Sequence, residues 1–236
     1  GSAYVGQGFL FDGVNQNVVA PNVPILNPSS AISIEAWIYP TAELDHRDIL
    51  GKEGENYERQ YLLSVSNIKR VRGHVATSNS VFFQYIDGAT IVPLNAWTHA
   101  AMTYDGTELK VYMNGVLDGS MPVTGSINSG PQPLRIGGGA PSGEPELYFP
   151  GSIDEPTIYD RALTQTEITA LFNAGTAGKC PMPSPSPTPT ATASPSPTNT
   201  FTPTNTPTAT ATATSTPTPG GCYALPANMV SWWRAE

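Results

Sequence analysis

Between Pro40 and Ile49 the chain reads TAELDHRD, which puts Glu43, Asp45, His46 and Asp48 within six positions. Two carboxylates flanking a glycosidic bond, one protonating the leaving oxygen and one attacking or activating water, are the usual means of hydrolysing a glycan. Here the run follows a proline, is expected to be a loop and ends in Asp48, so it does not present a fixed pair. The other residues able to do chemistry are scattered. His46, His74 and His99 stand far apart, and no serine or cysteine has a recognisable companion base. Cys180 and Cys222 form no CxxC pair or Cys/His cluster. No catalytic residue is assigned, and the chain is expected not to be an enzyme.

The elements that would position any site read as β-structure. Short runs rich in β-branched and aromatic residues recur between turn signals: FLFDG, ISIEAWIYP, RQYLLSVS, VFFQYIDG, WTHAAMTYDG, LKVYMNG, PLRIGGG and GSIDEPTIYD. In SIEAWIYP the alternation places Ile34, Ala36 and Ile38 on one face and Glu35, Trp37 and Tyr39 on the other. Asp105-Gly106 and Asn114-Gly115 are hairpin signals. One helix is expected, opened by a capping box from Thr164 to Glu167, carrying Ile168, Leu171 and Phe172, and closed by Gly175. The fold class is all-β, a two-sheet antiparallel jelly-roll sandwich with one short C-terminal helix.

Composition narrows the partners. The 236 residues carry a formal net charge of −8 and only 13% charged side chains, which disfavours nucleic acid and anionic membrane as ligands. No apolar run is long enough to span a bilayer, so no membrane insertion is expected. From Pro181 to Gly221 the chain holds 14 Thr, 11 Pro and 5 Ser and no charged residue, so it cannot bury a core and is biased to extended polyproline II. Such tracts suit either a bare spacer or an O-glycosylated stalk of an exported protein. Thr188, Thr190, Thr198, Thr204, Thr206 and Thr208 are the glycosylation candidates. Beyond the tract, CYALPANMVSWWRAE is apolar and reads as a strand that needs a partner, with Val230 and Trp232 on one face and Met229 and Trp233 on the other.

The segment NAWTHAAMTYDGTELKVYMNG resembles the central hairpin of laminin-G-like jelly-roll domains, in the concanavalin A-like lectin and glucanase superfamily. GSIDEPTIYDRALTQTEITALFNAG is similar to that family's closing strand and final helix, GQGFLFDGVNQNVVAP to its early strand, and SIEAWIYP to its first core strand. The likeness runs from Tyr4 to Cys180. It implies a fold used for adhesion, for sugar binding and as a spacer. The superfamily's glycosidases carry an acidic motif on a strand ending in glutamate, which ELDHRD does not match. His99 falls where the family places a core-strand histidine. The family often holds a structural Ca²⁺ near its FDG and IDE segments, which implies Asp12 and Asp154 as ligands, with Glu155 less favoured. The alternative is that Asp12 shapes a turn and Asp154 bonds to backbone. Pro156 stands where the family has an aliphatic residue, which implies a bulge or an unpaired position.

Domains of this family commonly begin with a strand like MVSWW, which here follows the domain instead of preceding it. The implied organisation is residues 1–180 as a jelly roll lacking its first strand, 181–221 as linker, and 222–236 as the first strand of a following repeat. In a jelly roll the first and last strands lie close, which implies a disulfide between Cys180 and Cys222, free thiols being the alternative. The expectation is a non-catalytic extracellular structural or adhesive module of a tandem-repeat cell-surface protein. Copies would assemble head to tail into a filament as Met229, Val230, Trp232 and Trp233 donate a strand to a neighbour, or the strand would return to its own domain. The alternative function is a lectin using Tyr57, Tyr61, Tyr85, Tyr148 or Phe149, with glycans as partners.

Overall fold

The structure, a computed structural model, describes residues 4–5, 8–43, 45–53, 59–80, 82–138, 147–179 and 227–232. Two antiparallel sheets pack face to face. The front sheet runs β1 (Phe9–Asp12), β12 (Pro150–Tyr159), β3 (Ile32–Pro40), β8 (Thr98–Tyr104), β9 (Glu108–Met113) and β10 (Val116–Pro122), with β13 (Met229–Trp232) also paired to β12. The back sheet runs β2 (Val18–Ala20), β11 (Leu134–Ile136), β4 (Arg47–Glu53), β5 (Arg59–Val65), β6 (Arg70–Val75) and β7 (Gln84–Ile91). This is the expected jelly-roll sandwich.

The core lies between the sheets and follows the period of two. Ile34, Ala36 and Ile38 of β3 meet Ala100 and Met102 of β8 and, across the sandwich, Leu63, Val71 and Val75. Each such side chain contributes roughly 1.5–3 kcal/mol by leaving water. The hairpin signals act as read. Asn114 and Gly115 both take positive φ (51° and 77°) between β9 and β10, the left-handed pair that a two-residue turn requires. A side chain at Gly115 would also collide with Phe172.

Helix α1 (Gln165–Ala174) covers the outer face of the front sheet, where Ile168 and Leu171 pack with Ala101, Tyr112, Tyr159 and Leu163. Its capping box is complete: Thr164 accepts from the Glu167 backbone N–H, and Glu167 accepts from the Thr164 backbone N–H. Gly175 ends the helix with φ 54°.

Two strands depart from the sequence reading. β4 and β6 were not expected, because RDILGKE and RVRGHV interrupt the apolar alternation with charges and glycines, and GQGFLFDGVNQNVVAP, read as one early strand, supplies β1 to the front sheet and β2 to the back. ELDHRD is therefore only partly a loop, since Arg47 and Asp48 open β4. Pro156 does mark a bulge. The β12–β3 register shifts between Asp154 and Thr157, and Glu155 takes φ 53° there.

Candidate functional site

β12 positions the first cluster, with Glu155 in its bulge and Thr157 just past it. Glu35 of β3, opposite Thr157, is fully buried beside His99 of β8, whose Nε2 lies 3.2 Å from Glu35 Oε2. Lys179 reaches in from the chain that leaves the domain. Its buried ammonium sits 2.7 Å from Glu35 Oε1 and 3.4 Å from Glu155 Oε2, and donates to Glu155 O and Thr157 Oγ1, each at 2.8 Å. Burial pushes the Glu35 carboxyl upward, but Lys179 and His99 outweigh it and hold the group at about 2. Burial raises Asp154 and Glu155 above the usual carboxylate range. Lys179 carries no signal in the sequence, being 144 positions from Glu35. His99 stacks edge-on to Trp37, the structural position expected for it.

The two carboxylates expected to share a calcium ion lie apart. Asp12, the last residue of β1, is opposite Pro150, and its first, Phe9, is opposite Ile153, so Asp154 is four residues from Asp12's partner along β12, about 13 Å away. Asp12 Oδ1 accepts from the backbone N–H groups of Val14 (2.9 Å) and Asn15 (3.1 Å), which hold its carboxyl below the usual range. Asp154 Oδ2 accepts from Val5 N–H at 2.6 Å, and Oδ1 from Glu155 N–H at 2.9 Å. Both carboxylates are engaged with backbone, and the pair does not fit a shared Ca²⁺. Among the described residues no group of three or more Asp, Glu, His or Cys is gathered for a metal.

The second cluster is on the outward face of the back sheet. Gly73 faces the core against Val111 and Met102, so its neighbours Arg72 and His74 face out. Register then aligns Leu62, His74 and Tyr85 in one row and Ser64, Arg72 and Asp87 in the next. Arg72 Nε and Nη2 donate to Asp87 Oδ1 and Oδ2 at 2.7 and 2.6 Å, and the guanidinium carbon lies 4.4 Å from the centre of the Tyr85 ring. Arg72 offsets the effect of burial on Asp87 and keeps its carboxyl below the usual range. His74 packs against both Phe83 and Tyr85. The row is closed over at His74 and open at β7, where Tyr85 is 47% exposed; Phe82, just before β7, is 76% exposed.

Of the other aromatics considered for a sugar site, Tyr61 is buried with its hydroxyl donating to Leu26 O, Phe149 is in the core, Tyr148 is half-buried, and Tyr57 lies outside the described residues. Glu43 of the acidic run pairs with Lys69 on the surface, whereas Asp48 is buried on β4 opposite Ser64 of β5. His74 and His99 are on opposite sides of the sandwich.

The third feature is the outer edge of β12. β1 covers it from Pro150 to Ile153, and β13 covers it from Thr157 to Tyr159. Val230 packs on the main core and Met229 on the helix-side cluster, so the terminal strand is covered on both faces, as its pattern indicates. Ala227 O accepts from Arg161 Nε at 2.9 Å, and Asn228 O from Asp160 N–H at 3.2 Å. The pairing is with β12 of the same chain, the arrangement that was the alternative to donation. Cys180, Cys222, Trp233 and the threonines of the tract lie outside the described residues.

A sandwich of this topology, with one helix across its front sheet, defines a lectin-type jelly roll. A laminin-G-type family model matches residues 12–169, and the chain belongs to the concanavalin A-like lectin/glucanases superfamily. Residues over an 81-position stretch are 37% identical to the human adhesion G-protein coupled receptor D1, covering 33% of this chain and 9% of that receptor. Among solved structures, the fold is similar to the CBM40 of a Ruminococcus gnavus IT-sialidase bound to α2,3-sialyllactose (TM-score 0.58, 16% identity, 71% of this chain and 97% of that one). It is also similar to domain 4 of AbnA, a GH43 extracellular arabinanase from Geobacillus stearothermophilus, in complex with arabinotriose (TM-score 0.54, 23% identity, 71% and 77%). At these identities the likeness is one of fold.

Proposed function

We propose that the chain is a non-catalytic, extracellular adhesive module of a tandem-repeat surface protein, whose front sheet is completed by a strand carried on a Pro/Thr-rich tether. The observation that carries this reading is the seat of β13 on the half of the β12 edge that β1 leaves open. An uncovered edge would expose unpaired backbone groups and part of the core, and strand addition satisfies both. The local match to an adhesion receptor and the uncharged tract support an exported setting. Val230→Asp tests the reading by placing a charge against the core. It should release β13 and cost about 1–3 kcal/mol, seen as a lower Tm. An unchanged Tm would refute strand completion.

A second reading, carbohydrate recognition, is favoured by Tyr85. Its ring is backed by a guanidinium that Asp87 clamps, so it is a rigid, half-exposed aromatic surface, with the exposed Phe82 three residues before it in the chain, suited to stacking on a sugar face. On a glycan array the chain should bind one sugar class, and the Tyr85→Ala, Phe82→Ala double variant should weaken binding about tenfold or more. Binding unaltered by both changes would rule out this surface.

A further inference from the structure

We infer that Lys52 and Asn27 are the two halves of an intramolecular amide crosslink, in which Lys52 Nζ displaces ammonia from the Asn27 side chain and ties β4 to the turn at Pro24–Leu26. The inference is independent of the seating of β13.

Register brings the amine to this place. Lys52 stands opposite Leu134 of β11 and Tyr61 of β5, both core residues, so it points to the interior and is fully buried. The Tyr61 hydroxyl donates to Leu26 O at 2.8 Å and fixes the turn beside it, with Asn27 next in the chain. Lys52 Nζ donates to Asn27 Oδ1 at 2.5 Å, to Asn22 Oδ1 at 2.6 Å and to Gly130 O at 3.3 Å. These three partners are uncharged, and burial pulls the ammonium down to about 8. An amine in that range is partly neutral near neutral pH, and the neutral form is the nucleophile.

The amide is presented for attack. A carbonyl bond is about 1.2 Å long, so Nζ is at most about 3.7 Å from Asn27 Cγ, at the edge of the attack range. Asn27 Nδ2, the leaving nitrogen, donates to Asn22 Oδ1 at 3.0 Å and to Val23 O at 3.1 Å. Asn22 Oδ1 thus meets both nitrogens, which makes Asn22 a positioning residue and a path for the proton between them. The Nζ–Cγ bond forms, the Cγ–Nδ2 bond breaks, and the proton given up by neutral Nζ goes to Nδ2, which leaves as ammonia. Nothing is oxidised or reduced. Asn22 is exposed, so the ammonia departs to solvent. The common rival reaction of an asparagine amide, attack by the next backbone nitrogen, is closed to Asn27, because that nitrogen belongs to Pro28 and has no hydrogen.

The test is mass analysis of the full-length chain, produced without glycosylation, incubated at pH 8, then reduced and denatured. The chain should weigh less than its sequence by one ammonia, resist trypsin after Lys52, and yield a branched peptide joining Lys52 to Asn27. Lys52→Arg and Asn27→Ala should each abolish that peptide. Asn22→Ala should slow its formation about a hundredfold, and Asn22→Asp, which keeps an oxygen between the two nitrogens, should restore the rate. A wild-type chain of full mass, cleaved normally after Lys52, would overturn the crosslink whether or not any variant folds. Loss of ammonia without a branched peptide would overturn it too. A branched peptide that joins Lys52 to Asn22, or that persists in Asn27→Ala, would overturn the assignment of Asn27, and an unchanged rate in Asn22→Ala would overturn the role given to Asn22.

Discussion

Lys179 decides the electrostatics of the front sheet. Without its ammonium, Glu35 and Glu155 would share a buried region with Asp154, with only His99 beside Glu35 to meet them. Lys179→Met should therefore cost about 3–5 kcal/mol, measured by urea unfolding at pH 7, with much of the loss absent when Glu35→Gln is also present. The pH dependence has a definite sign. The folded Glu35 carboxyl lies at about 2, below its ordinary value of 4.5, so its contribution is complete above 4.5 and is lost as pH falls toward 2. Glu35→Gln should flatten that part of the acid limb, and an acid limb identical to wild type would contradict the assignment. None of this was legible beforehand. Alternation showed that Glu35 faces away from the core, but which ammonium meets it depends on a bulge at Glu155 and a chain exit far along the sequence. The role of Asp12 as a turn-former and Asp154 as a backbone acceptor was legible as an alternative, and the register of β1 explains why the two do not meet.

At the level of elements, the strongest local signals survived folding intact. The Thr164–Glu167 box caps α1, and Glu167 also receives Arg161 through two bonds, at 2.9 and 2.5 Å. Thr164→Ala should cost about 1 kcal/mol, lowering the urea midpoint without altering the slope. A changed slope would mean that α1 detaches as a unit. Strands β3, β8 and β9 were readable because one face of each is uniformly apolar. β4 and β6 were not, because their polar residues are held in pairs that only the assembled sheet supplies. Arg72 finds Asp87 on β7, and Lys52 of β4 donates to Asn22 Oδ1 and Asn27 Oδ1 at 2.6 and 2.5 Å. Burial pulls the Lys52 ammonium down to about 8. A buried cation on a strand looks, in sequence alone, like a turn.

Across the whole molecule, the sandwich was legible in outline and its ligand chemistry was not. Tyr85 was one of five aromatics named for a sugar surface, and only the alignment of β6 with β7 sets it over Arg72. Calcium can be tested at this scale. With Asp12 and Asp154 already bonded to backbone, Tm with and without EDTA should agree within about 1 °C. A metal held at a hundredfold over its Kd would add about 2.7 kcal/mol, and a fall of several degrees on chelation would require a site built by other residues.

The anchoring of Lys179 also sets how the domain would carry mechanical load. Tension arriving along the tract from Pro181 onward does not have to pull on α1, although α1 is the neighbouring element in sequence. It enters through one ammonium held by Glu35 on β3 and by Glu155 and Thr157 on β12, the two adjoining strands in the middle of the front sheet. A strand seated at Thr157–Tyr159 would deliver the opposing tension to β12 as well. Both attachments would then load the same strand, while the helix and the back sheet with its open Tyr85 edge stayed out of the load path.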